Sequence, residues 1–279
     1  MTQLSRISKP RDLDGLSRDE LTELCQDLRD YLIESVSATG GHLGPNLGVV
    51  EITVAIHRVF DSPTDAVVFD TGHQSYVHKL LTGRQDFSRL RQKGGLAGYP
   101  QRSESVHDIV ESSHASSSLS WADGISRAFK ATGQSDRHVV AVIGDGALTG
   151  GMAWEALNNI TDDNDRNLVV VVNDNGRSYA PTIGGLAKTL NDIRTESWYR
   201  KGYSFSKRFF YRFGPLGKLV FRAAHAAGQS LVVDNAANGI FPNLDIKYIG
   251  PIDGHDLEAM EQALRQARDY GAPAIVHAI

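Results

Sequence analysis

Cysteine is almost missing from this sequence: Cys25 stands alone among 279 residues. A disulfide framework within the chain is therefore excluded. No run of 18 apolar residues occurs, so no transmembrane helix is expected. Positive charge is not in excess either. The net charge is −4 and the pI about 6.2, which gives no global attraction to nucleic acid or an anionic membrane surface. The N-terminus carries Arg6, Lys9, Arg11 and Asp12 with no apolar stretch behind them, unlike a secretory signal. A cytoplasmic protein without nucleic-acid or membrane partners is expected. Several catalytic signatures are also absent. There is no Cys-x-x-Cys pair and no His-x-x-x-His helix motif, which argues against a zinc site. No Gly-x-Ser-x-Gly elbow, phosphate-binding Gly-x-x-x-x-Gly-Lys-Ser/Thr loop or dinucleotide-binding glycine fingerprint follows a predicted strand.

What remains is 41% hydrophobic and 22% charged, enough for a substantial core. No internal repeat or low-complexity linker divides the chain, so residues 1–279 are expected to form one domain. The opening dozen residues read as an arm. Ser17-Arg18-Asp19-Glu20 is a capping box. Leu21, Leu24, Cys25, Leu28, Tyr31 and Leu32 follow at helical spacing, predicting a helix over 18–38. Gly40 to Pro45 breaks it, and a second helix is predicted from Gly48 to Phe60. Ala66 to Phe69, Val139 to Ile143 and Leu168 to Val172 are continuous apolar runs rich in β-branched residues. Such runs suit parallel strands covered on both faces. A helix-like stretch, Met152 to Asn159, lies between the last two, giving a β-α-β unit with a right-handed crossover. A helix over Asp256 to Tyr270 and a strand over Ala274 to Ile279 close the pattern. The fold class is α/β, a doubly wound and mostly parallel sheet flanked by helices. Because the chain stops inside a predicted strand, further sequence is expected beyond Ile279.

Residues 194–240 differ in character. Arg200, Lys201, Lys207, Arg208, Arg212, Lys218 and Arg222 bias them positive, with a weak helical pattern. They read as a solvated helical excursion, or as a docking surface for a partner.

In an open parallel sheet, ligands bind at the carboxyl ends of the strands. Gly144-Asp145-Gly146 ends one predicted strand and Asn173-Asp174-Asn175 ends the next. A lone Gly-Asp-Gly usually marks a turn. Strand, Gly-Asp-Gly, helix, strand and Asn-Asp-Asn in succession is a far more specific arrangement. Asp145 and the Asn175 amide oxygen can supply two ligands of a magnesium ion, which takes the rest from phosphates, carbonyls and water. Gly146 and Ala147 are expected to lead into a helix whose N-terminus favours a phosphate. Four histidines lie in loops with polar or glycine neighbours: His42, His73, His114 and His255. Such imidazoles suit phosphate contact and proton transfer near neutral pH, although a lone histidine beside glycine is more often structural. His57, His78, His107, His138, His225 and His277 have no such context and read as structural.

These motifs together resemble the N-terminal domain of the 1-deoxy-D-xylulose-5-phosphate synthase family, which is transketolase-like. The resemblance rests on Gly41-His42-Leu43-Gly44-Pro45-Asn46-Leu47-Gly48, Asp70-Thr71-Gly72-His73-Gln74, Arg91-Gln92-Lys93-Gly94-Gly95-Leu96, Ile143-Gly144-Asp145-Gly146-Ala147, Asn173-Asp174-Asn175 and Tyr248-Ile249-Gly250-Pro251-Ile252-Asp253-Gly254-His255-Asp256. It implies a thiamine-diphosphate-binding fold of the diphosphate-binding type, with thiamine diphosphate and Mg2+ as cofactors. It implies condensation of pyruvate with glyceraldehyde 3-phosphate, with loss of carbon dioxide, feeding isoprenoid, thiamine and pyridoxal synthesis. By position it implies magnesium ligands at Asp145, Asn175 and the Arg177 carbonyl. Cofactor contacts are implied at His73, Ser113, His114, Ala115, Gly146, Ala147 and Asn175. His42 and His73 are the implied catalytic residues, with His42 facing the reacting centre.

Two departures stand out. Ser113 and Ala115 occupy places where the family usually has Gly and Ser. Ser113 lacks glycine's freedom at positive φ, so a tighter or shifted diphosphate loop is expected. The family's pyrimidine-binding domain, with its activating glutamate, and its C-terminal domain have no counterpart in these residues. The chain is thus expected to be inactive alone, and to work in a homo- or hetero-oligomer with a pyrimidine-binding domain. Alternatives are a subunit of a split transketolase-like enzyme with another substrate, or a non-catalytic relic of the fold.

Overall fold

The computed structural model describes residues 2–175 and 246–279. Among the described residues five strands form one sheet in the order β1-β2-β3-β5-β4, and every neighbouring pair is parallel. They are β1 (Ala66–Phe69), β2 (Val139–Gly144), β3 (Leu168–Asn173), β4 (Lys247–Ile252) and β5 (Ala274–Ala278). The β-branched runs form strands because both faces are covered. Val140, Val142, Val169, Val171 and Val276 point into one apolar layer. Ala141, Ile143, Val170, Val172 and Ile275 point into the other. The first layer packs against α1 (Arg18–Thr39), α3 (Val50–Val59), α4 (Tyr76–Leu81) and α7 (Leu257–Asp269). The second packs against α5 (Ser118–Ala131) and α6 (Gly151–Thr161).

The path from β1 to β3 advances along the sheet with α5 and α6 on one face. The step from β4 to β5 runs back with α7 on the other face. Right-handed crossovers require this change of face when the direction reverses. The winding therefore reverses between β3 and β5, where crevices for ligands open in sheets of this kind. The capping box forms as read: Ser17 Oγ accepts from the Glu20 N–H at 3.3 Å, and Glu20 accepts from the Ser17 N–H at 2.8 Å.

Several expectations change. The stretch after Gly41 is not only a break: Leu43–Leu47 forms a short helix, α2, and the next helix starts at Val50. Pro45 is compatible with α2 because it lies in the first turn, where its missing N–H costs no bond. Helices α4 and α5 and strand β4 are additions, and Ala147–Thr149 makes a separate 3-10 turn before α6. The opening dozen residues are no arm. Leu4–Arg6 and Pro10–Gly15 are 3-10 segments, and Leu4, Ile7, Pro10, Leu13 and Leu16 are buried. Those five recur every third residue, which is the period of a 3-10 helix. Arg58 and Gln85 hold the segment by donating to the carbonyls of Leu13 at 2.6 Å and Ile7 at 2.5 Å. The predicted excursion over 194–240 and His225 lie outside the described residues. Among the described residues no helix is long and apolar enough to cross a membrane.

A docked N-terminal segment makes a mutational statement. Leu13 is fully buried, so Leu13→Ala is expected to cost about 2–5 kcal/mol, read from the urea midpoint. A loose arm would leave the midpoint unmoved.

Candidate functional site

The parallel register delivers the carboxyl ends of β1, β2 and β3 to one edge. Each is followed by a buried carboxylate: Asp70, Asp145 and Asp174 are 4%, 3% and 3% exposed. Gly144 lies opposite Asn173, and the Asp145 N–H donates to the Asn173 carbonyl at 3.2 Å. The Gly-Asp-Gly and Asn-Asp-Asn segments are thus neighbours in space. Asn175 is exposed at the end of β3, and Arg177 lies outside the described residues.

Asp70 organises the loop that carries Ser113, His114 and Ala115. Its carboxylate accepts from the N–H groups of Ser116 at 2.8 Å and Ser118 at 2.9 Å. Charge-assisted bonds of this type are the strong ones. Ser116 Oγ then donates to the Ala147 carbonyl at 2.6 Å, tying the same loop to the Gly146-Ala147 turn. Gly150 makes this possible, because a Cβ there would collide with Ser116 Oγ and sit 2.7 Å from its Cβ. Ser113, His114 and Ala115 are all exposed at the surface of this loop. The strain expected at Ser113 falls elsewhere: Ser116 carries the positive φ, 69°, and Ser113 is not among the left-handed residues. Gly146 and Ala147 do not lead straight into a long helix, since α6 starts only at Gly151.

His42 and His73 come together from separate loops. Their rings are 5.4 Å apart and close to perpendicular, with Tyr99 6.3 Å from His42. Asn46 joins the two loops. Its side-chain amide donates to the carbonyls of His42 and His73, both at 2.7 Å, and its Oδ1 accepts from the Tyr76 N–H at 2.9 Å. His73 follows a strained turn in which Thr71 has φ 60° and Gly72 φ 79°. A β-branched residue rarely adopts that conformation. A Cβ on Gly72 would sit 2.6 Å from Pro100 Cδ, so this turn needs glycine on steric grounds as well.

Burial lowers the pKa of both imidazoles. The nearby Arg91 charge lowers His42 further, and His42 itself lowers His73, with Asp70 opposing. Both rings are therefore neutral at pH 7 and can give or take a proton. His73 Nδ1 and Asn173 Nδ2 are buried and have no partner among the described residues. Buried polar atoms left unpaired at a ligand-facing edge are suited to a polar ligand.

His255 lies elsewhere in the bonding pattern. It pairs with Glu51 at 3.1 Å, beside Arg29, which holds the same Glu51 oxygen at 2.5 Å. The bond to Glu51 raises the His255 pKa. His57 and His78, read as structural, bond each other at 2.9 Å, and His78 bonds Asp108 at 3.0 Å. The roles of Asp70, Asn46 and Ser116 went unread. Asn46 stands four residues after His42, the one spacing that hinted at its bond. Among the described residues no group of three or more His, Cys, Asp or Glu gathers as a metal cluster. The magnesium set expected here contains a single carboxylate.

Comparison with known proteins adds a family. A family model described as 1-deoxy-D-xylulose-5-phosphate synthase matches residues 4–279. Curated proteins named 1-deoxy-D-xylulose-5-phosphate synthase are similar over nearly the whole chain. The one from Clavibacter sepedonicus is 70% identical over 99% of the chain, and that from Leifsonia xyli subsp. xyli is 68% identical over 100%. The one from Kocuria rhizophila is 62% identical over 100%. The chain spans 43–44% of the length of these relatives.

Two outcomes test the geometry. Asp70→Ala removes the two charge-assisted bonds that hold the Ser116–Ser118 segment and is expected to cost about 2–4 kcal/mol, with faster amide exchange at Ser116 and Ser118. Unaltered exchange there would remove Asp70 as the anchor. The histidines set a pH dependence. For His42, His57, His73 and His78 the folded pKa lies below the unfolded value of about 6.5. Their contribution to stability is complete above that value and is lost as pH falls through the folded values. His255 has the opposite sign, contributing below about 6.5 and losing its share as pH rises through its raised pKa. NMR titration should place His255 above 6.5 and His42 below it; the reverse order would contradict the structure.

Proposed function

The chain belongs to the 1-deoxy-D-xylulose-5-phosphate synthase family, and from that premise we propose that it is the diphosphate- and magnesium-binding part of a thiamine-diphosphate-dependent transferase. In this reading the full enzyme condenses pyruvate with glyceraldehyde 3-phosphate to 1-deoxy-D-xylulose 5-phosphate and carbon dioxide, in the cytoplasm. The observation that carries it is the adjacency of Asp145 and the Asn173–Asn175 turn at the carboxyl edge of two paired parallel strands. Residues 1–279 act as one domain. The pyrimidine contacts and the activating glutamate come from the rest of the enzyme, fused or as a partner, since the chain spans under half the length of its relatives.

The residues present fit the cofactor. Asp145 offers a carboxylate oxygen and Asn175 an amide oxygen, the hard donors that Mg2+ prefers, with the Arg177 carbonyl as a third. Gly146, Ala147, Ser113, His114, Ala115 and Asn175 would surround the diphosphate, and the unpartnered His73 Nδ1 can contact it. When bound, the cofactor supplies the carbanion chemistry, and the protein supplies binding and orientation. Neutral His42, against His73, would move protons at the reacting carbon. The Ser116–Ala147 and Asp70 bonds would keep the two diphosphate loops in register with the metal-binding strand ends, because both loops hang from them.

Calorimetry on the full protein tests this. Thiamine diphosphate is expected to bind only weakly without Mg2+ and more tightly with it. Asp145→Ala should abolish that dependence while amide exchange in β2 and β3 stays protected. A Mg2+ dependence unchanged in Asp145→Ala would remove Asp145 from the ligand set.

A further inference from the structure

We propose that Tyr248, His277 and Asp174 form a positioning unit that fixes the Asn173–Asn175 turn and thereby tunes its affinity for a divalent cation. The inference rests on the reading of Asn175 as a magnesium ligand. The three residues lie on or just past three adjacent strands, β4, β5 and β3. His277 Nε2 lies 3.1 Å from Asp174 Oδ2, and the Tyr248 hydroxyl lies 2.7 Å from His277 Nδ1. All three are buried, with His277 fully so. A carboxylate accepts and does not donate, so Nε2 carries the proton. In the neutral ring Nδ1 then accepts from the Tyr248 hydroxyl. One tautomer satisfies the whole chain of bonds.

The pleat explains what this does to the turn. Val170 and Val172 point into the α5/α6 layer, and so do Ile275 and Tyr248. Asp174 and His277 continue the same alternation and meet on that face. Side chains alternate along a strand, so holding Asp174 on the α5/α6 side keeps Asn173, the last residue of β3, on the opposite side and fixes the backbone from which Asn175 continues. The main chain is fixed too, by the Asp174 N–H donating to the Ala278 carbonyl at 2.8 Å. With its side chain bonded to His277, Asp174 is kept from swinging into the place of the neighbouring amide ligand. Burying a carboxylate and an imidazole in an apolar layer is a poor way to gain stability, since apolar residues of the same volume do as well or better. Their placement one residue from the ligand is accounted for by orientation. Partners that orient metal ligands from behind commonly matter almost as much as the ligands.

The test uses the full protein. Mg2+ affinity in the presence of thiamine diphosphate is measured by calorimetry, beside the thermal midpoint, for His277→Leu, His277→Gln and Tyr248→Phe. His277→Leu is expected to weaken Mg2+ about 10–100-fold. His277→Gln should recover most of this, because its amide can still donate to Asp174. Tyr248→Phe should shift affinity in the same direction by less. A core control, Leu157→Ala, should lower the midpoint without moving Mg2+ affinity. Nitrogen NMR of His277 should show the Nε2-protonated form, a readout that needs no cofactor and serves if His277→Leu does not fold. An Nδ1-protonated ring would overturn the proposal, as would Mg2+ affinity indifferent to the His277 and Tyr248 variants. So would an equal loss in Leu157→Ala. A wild-type protein that binds no Mg2+ would overturn the proposed function along with it, whereas indifferent variants of a Mg2+-binding protein would overturn only the positioning role.

Discussion

In an all-parallel sheet every strand releases its chain at the same edge, and this edge receives three buried carboxylates in a row, Asp70, Asp145 and Asp174. Three like charges on adjacent strand ends are tolerable only if each is engaged. Asp70 takes two backbone N–H groups from the Ser116–Ser118 segment. Asp174 takes the imidazole of His277. Asp145, the third, is placed by its own N–H donating to the Asn173 carbonyl at 3.2 Å, which sets it beside the Asn173–Asn175 turn. Two of the three carboxylates thus bind this edge together: one organises a loop and one meets an imidazole.

A second set of buried charges lies behind the loop that passes beside His42 and Gly72. Arg84 grips Asp108 through two bonds, at 2.6 and 2.8 Å, and Lys79, fully buried, pairs with Glu104. Asp108 and Glu104 also accept from the backbone N–H groups of Gln101 and Ala97, both at 2.6 Å. Ion pairs this deep contribute little net stability, because desolvation offsets most of the attraction. What they fix is the path of residues 97–108. That path carries Tyr99 to His42 and Pro100 against Gly72. Removing one partner would leave its charge buried alone, at a cost of about 3–5 kcal/mol.

The legible parts of the fold were those where one signal dominates. Val139–Ile143 and Leu168–Val172 are covered on both faces, which favours the continuous apolar, largely β-branched runs found there. Strand β4 was hidden because Gly250-Pro251 breaks its apolar run, which an edge strand with a register shift tolerates. Helix α5 was hidden by Ser120 and Gly124, poor helix formers whose cost is recovered by packing Leu119 and Ala122 into the core. The N-terminal segment was hidden by its charges: the apolar period of three is easily missed beside Arg6, Lys9 and Arg11. Of the candidate site, the strand-end positions of Asp145 and Asn175 and the loop positions of His42 and His73 were legible, because their motifs follow apolar runs or glycine-rich breaks. Asp70, Asn46, Ser116 and His277 were not, since each acts on a backbone group or side chain distant in sequence, which only the folded register brings near.

Ser113 shows why that difference matters for reading a substitution. Judged by motif, a serine in place of glycine threatens the diphosphate loop. Judged by geometry, the left-handed residue of that loop is Ser116, and its unfavourable φ is sustained by three contacts: Asp70 on its N–H, the Ala147 carbonyl on its hydroxyl, and the space left by Gly150. Strain of this kind costs of order 1–3 kcal/mol and persists only where the surroundings over-determine it. Ser113, exposed and outside the left-handed region, meets no such demand. The loop's tolerance to sequence change is therefore set three residues downstream of the departure, at the residue that joins two of the strand ends on which the site is built.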